Sequence, residues 1–75
     1  MVYEVIIHSS EGMIFTLATV AVQKSMNWDF FRAHQFCQKA GEDGSAVLCV
    51  AQEKKAHQYV KELKELSLLA TCRLI

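Results

Sequence analysis

No proline interrupts the 75 residues of this chain, and only three glycines punctuate it. Proline removes a backbone donor and glycine supplies the backbone of tight turns. A chain nearly free of both is committed to regular elements almost end to end. A chain this short buries only roughly 60% of the surface its unfolded form exposes, so those elements are expected to share one core across residues 1–75. The composition is 52% hydrophobic and 21% charged, which excludes a disordered tail.

The apolar pattern changes period along the chain. Val2 to His8 reads VYEVIIH, rich in β-branched and aromatic residues, as a strand requires. Ser9, Ser10, Glu11 and Gly12 make a loop in which either serine can cap a helix. From Met13 to about Lys24, the residues Ile14, Leu17, Ala18, Ala21 and Val22 recur at helical spacing. The Ser25-Met26-Asn27 stretch breaks that helix. A second face follows from Trp28 to about Ala40 on Phe30, Ala33, Phe36, Cys37 and Ala40, and Gly41 is the expected stop. Ser45 to Ala51 reads SAVLCVA, a short apolar run expected to be a buried strand. From Gln52 to about Ser67, Ala56, Val60, Leu63 and Leu66 line one face of a charged helix. Leu69 to Ile75 closes as a strand. The expected fold is α+β in the order β-α-α-β-α-β, with helices on one face of a three-stranded sheet.

Charge and cysteine content narrow the function. Eight basic and eight acidic residues balance to zero with no basic stripe, so no nucleic-acid partner is expected. No apolar run approaches the ~18 residues of a membrane span, and no basic region precedes an apolar run as in a signal peptide. Three cysteines, Cys37, Cys49 and Cys72, read as free structural thiols of a cytoplasmic protein. His34 and Cys37 stand at i,i+3, but structural zinc sites take four ligands, so neither metal nor cofactor is expected. His8 beside Ser9 and Ser10 offers a base and a nucleophile without an orienting acid or oxyanion hole, so no enzyme is expected.

Several spacings resemble the ClpS family of Clp protease adaptors, from Tyr3 to about Leu66 without a gap. Tyr3-Glu4-Val5-Ile6-Ile7 resembles the family's first strand. Val22-Gln23-Lys24 is similar to its Leu-Gln-Lys, Arg32-Ala33 with Gln35 to its Arg-Ala-x-Gln, and Gly44 with Ala46 to its Gly-x-Ala. Ala56 and Val60 match its third helix. The C-terminal domain of the ribosomal stalk protein shares this fold. The resemblance implies a non-catalytic adaptor that binds the first residue of a substrate, the N-degron, and hands it to a Clp-type AAA+ unfoldase. It implies a substrate site on Ser9, Ser10, Glu11, Phe15, Ala18, Cys37, Ala40 and Gly41. Glu11 would take the α-ammonium, the serines would hydrogen-bond it, and Phe15, Ala18, Cys37 and Ala40 would form the apolar pocket.

The chain departs from the family where that chemistry lies. Ser9, Ser10 and Glu11 stand for Asn-Asp-Asp, and Gly41 stands for a histidine. Met13-Ile14 replaces Thr-Pro, and Phe15 replaces a gatekeeper that is commonly methionine. On the surface implied to face the ATPase N-terminal domain, around Lys54, His57 and Tyr59, Lys54 replaces Glu and Tyr59 replaces Lys. Reversing that charge opposes docking on an unchanged partner. Two other readings are an interaction module that recruits another protein through Trp28, Phe31 or the third helix, and a decoy that docks on the unfoldase without cargo.

Overall fold

The computed structural model describes residues 1–75. The elements are β1 (Val2–His8), α1 (Phe15–Met26), α2 (Phe30–Asp43), β2 (Ser45–Gln52), α3 (Glu53–Glu65) and β3 (Leu69–Leu74). The sheet is antiparallel in the order β2-β1-β3. The central position of β1 explains its unbroken Val5-Ile6-Ile7 run. Val5 and Ile7 enter the core under the helices. Ile6 faces the open side, yet it is buried between Val47 and Thr71, its register partners on the two neighbouring strands.

The β2 segment is a strand, but it is not buried throughout. Helices cover only one face of the sheet, so alternate side chains must point to solvent. Ala46 and Leu48 are buried, whereas Val47 and Val50 are exposed. The register skips from Val5↔Cys49 to Ile6↔Val47, which leaves Leu48 as the extra residue of a bulge. The bulge resets the alternation, so Cys49 and Ala51 also pack toward the core.

Each helix departs from the apolar count at identifiable residues. In α1 the buried side is Ala18, Thr19, Ala21 and Val22, while Ile14 and Leu17 are exposed. Thr19 tolerates burial because its hydroxyl donates to the Phe15 carbonyl at 2.8 Å. In α2 the side chain of Asp29 accepts from the Arg32 backbone N–H at 2.8 Å, the cap that opens the helix. Gly41 does not end α2; it lies within it, and Gly44, with φ of 91°, provides the left-handed stop. α3 buries Ala56, Val60 and Leu63, but Leu66 is its exposed C-cap. Ser67 turns the chain with φ of 70° and sends Leu68 into the core instead. Trp28 packs on Phe36 with ring centroids 4.9 Å apart, and the Arg32 guanidinium lies 4.2 Å above its ring. Phe31, by contrast, is 80% exposed.

Candidate functional site

The loop between β1 and α1 carries Ser9, Ser10 and Glu11. The Ser9 N–H donates to the Gly44 carbonyl at 2.8 Å, which pins the loop to the end of α2. The Met13 N–H donates to the Ser10 carbonyl at 3.1 Å, and Gly12, with φ of 83°, makes the bend between them. The backbone of Glu11 is therefore placed just before the first turn of α1, and its side chain is exposed.

Phe15 opens α1, and its ring stands on the backbone of Gly41. A β-carbon on Gly41 would come within 2.5 Å of the ring's Cζ. The ring thus fills the space that any side chain at position 41 would need. Behind it, Cys37 and Ala40 are both 0% exposed, and Ala18 is closed nearly as completely. Burial pushes the Cys37 thiol above its ordinary pKa, with Thr19 opposing the shift through a side-chain hydrogen bond. It is a neutral packing group.

The expected site residues are therefore distributed over two flanks of α1. On the flank toward α2, Phe15 and Gly41 are in contact and Cys37 and Ala40 are sealed. On the flank toward the α3–β3 turn runs a groove of about 570 Å³. Ser10, Glu11 and Ala18 line this groove, and none of Phe15, Cys37, Ala40 and Gly41 does. Its other walls are Ile14 at the N-cap of α1, Leu17 and Ala21 from α1, and Leu66 and Leu68 from the turn, with Lys24 at the far end. The apolar spacing assigns Ile14 and Leu17 to the buried face of the helix, so these walls are not legible in the sequence; the structure leaves both residues exposed beside a buried side made by Ala18, Thr19, Ala21 and Val22.

The second expected surface lies on α3. Lys54 and His57 are exposed, and Tyr59 is half-buried beneath the Lys55 ammonium, 5.1 Å from its ring centre. The His57 ring is tilted over Tyr3 at 5.6 Å, and its Nδ1 is 3.5 Å from the Cys72 sulfur. The histidine is exposed but anchored to the sheet rather than freely solvated. His34 is half-buried and stacked on Phe30 with centroids 5.7 Å apart. No group of three or more His, Cys, Asp or Glu side chains is placed to hold a metal ion. No helix is long and apolar enough to cross a membrane.

A three-stranded antiparallel sheet with three helices on one face, in the order β-α-α-β-α-β, defines a small two-layer α+β fold. That fold is the one found in ClpS proteins. The chain superposes on Agrobacterium tumefaciens ClpS2, a structure solved bound to L-phenylalaninamide, with a TM-score of 0.93 over 96% of this chain and 94% of that one. The sequences are 20% identical, so the likeness lies in the fold. No protein-family model matches the chain, and no curated protein matches it by sequence.

Proposed function

We propose that this chain is a non-catalytic, adaptor-like protein of 75 residues acting as one domain. It binds substrate N-termini, a Clp-type AAA+ unfoldase, or both. The observation that supports this most is the end-to-end agreement in fold with ClpS2. The ligand in that structure, L-phenylalaninamide, pairs a free α-amine with an aromatic side chain. This chain offers matching chemistry: the Glu11 carboxylate for an ammonium, Ser9 and Ser10 as hydrogen-bonding neighbours, and apolar surface next to them. An ammonium leaving water needs such acceptors, because burying a cation without partners is costly.

The residues that differ change how the site works. With glycine at position 41 and Phe15 over it, no imidazole faces the amine, and Glu11 is the one charged acceptor in the loop. Binding then depends on a single carboxylate and is weak. Lys54 at the partner surface calls for an acidic facing group on the unfoldase. The test is calorimetric titration with peptides beginning Phe, Leu, Trp or Tyr, with N-acetylated copies, and separately with a Clp ATPase N-terminal domain. Binding of the free amines alone, or of the ATPase domain, supports the reading. Binding of neither refutes it. Docking on the ATPase domain without peptide binding marks a decoy.

A further inference from the structure

We propose that the apolar side chain of a bound N-terminal residue lies in the groove between α1 and the Leu66–Leu68 turn. It does not lie on the flank of α1 that faces α2. This inference rests on the adaptor reading and assigns its binding surface.

The α2 flank is closed. Cys37 and Ala40 have no exposed surface, and the Phe15 ring stands against Gly41. A side chain entering there has to displace that ring and open a packed core, and interiors at that density have no spare volume. The other flank is already open. Its groove of about 570 Å³ falls within the size range of small-ligand sites. Leu17 is 64% exposed, and Ile14 and Leu66 are exposed beside it. Three large apolar side chains converge there with no partner, on a molecule whose α1 already has a complete buried side.

Charge identifies the occupant. The groove begins at Ser10 and Glu11 and ends at Lys24. A carboxylate at one end selects a cation, the apolar walls select the side chain next to it, and the ammonium of Lys24 selects an anion beyond. A peptide with a free α-amine, an apolar first residue and an acidic group downstream has this order. From Ile14 at its N-cap to Lys24, the helical wall of the groove runs about 15 Å at 1.5 Å per residue, the reach of roughly four extended residues. The favoured ligand thus carries its acid at about the fourth position.

The test uses the tetrapeptide Phe-Ala-Ala-Glu, its N-acetylated copy and Phe-Ala-Ala-Lys, titrated into the full chain. Leu17→Asp changes a solvent-exposed side chain, and circular dichroism confirms that the variant folds. It should weaken Phe-Ala-Ala-Glu by roughly tenfold or more, as should Glu11→Gln through loss of a charge-assisted hydrogen bond. Lys24→Glu should reverse the preference between the Glu-ended and Lys-ended peptides. Val50→Ser, on the open face of the sheet, should leave binding unchanged. If free-amine peptides bind Leu17→Asp as tightly as the parent, the groove assignment is wrong while the adaptor reading stands. If no free-amine peptide binds the parent, the groove fails together with the peptide arm of that reading, and only docking on the ATPase domain is left to support it.

Discussion

Phe15 and Gly41 are coupled by a contact that neither residue announces alone. An alanine at position 41 gains about 1 kcal/mol of helix propensity, but its β-carbon would meet the Phe15 ring at 2.5 Å. The ring tip can move, so the outcome is a trade between the two terms. In a Phe15→Ala background the obstruction is gone. Urea unfolding of the four proteins should give Gly41→Ala its full stabilisation only in that background, with a coupling of roughly 0.5–1.5 kcal/mol. Equal effects in both backgrounds would remove the contact from the account. The thiols offer a second check at this scale. Burial raises the pKa of Cys37 and of Cys49 above 9.0. The folded state then holds these protons more tightly than the unfolded chain. Their contribution to stability is present below pH 9.0 and is lost as pH rises through the folded values. The urea midpoint should therefore fall in that alkaline window. Limited alkylation followed by mass spectrometry should label Cys72 well before Cys37.

Helix α2 depends on its two ends. Asp29→Ala should cost about 1 kcal/mol through loss of the cap. Gly44→Ala should cost about 1–2 kcal/mol because it forces a side chain into the left-handed region. Thermal unfolding measures both, and a neutral result at Gly44 would contradict its role as the stop. The order of elements was legible in the sequence because period-2 and period-3.6 patterns alternate cleanly between VYEVIIH, the helical faces and SAVLCVA. The end of α2 was not. Two glycines lie within four residues, and the apolar face ends at Ala40, which favours the first of them. What separates the two is tertiary: Gly41 lacks a side chain because Phe15 lies over it, a contact spanning 26 positions (41 minus 15). The buried faces of α1 and α3 depart from the apolar spacing for related reasons. Counting apolar residues favours Leu17 over Thr19, although a hydroxyl satisfied by its own helix can be buried and a single leucine can stay on the surface. It also carries α3 on to Leu66, although the turn at Ser67 hands the core position to Leu68.

At the scale of the whole molecule, the chain combines a core made largely of small and medium side chains with large apolar residues left on the outside of α1. The fold was recoverable because packing positions such as Val5, Ala33, Ala46 and Ala56 keep their spacing. The arrangement of the candidate site was not legible in the sequence, because spacing alone does not show that the residues assigned by resemblance fall on two flanks of one helix. Ser10 and Glu11 stand at an open groove with the buried Ala18 at its floor, and Cys37, Ala40 and Gly41 belong to a closed contact. The central claim is that this protein recognises a free N-terminus through Glu11 and the surface beside it. Amide chemical-shift titration with Phe-Ala-Ala-Glu and its acetylated copy tests that most directly. The account predicts saturable shifts with the free amine alone, concentrated at Glu11, Leu17, Ala21, Leu66 and Leu68. Shifts of equal size from the acetylated peptide, or none at about millimolar concentration, would contradict it.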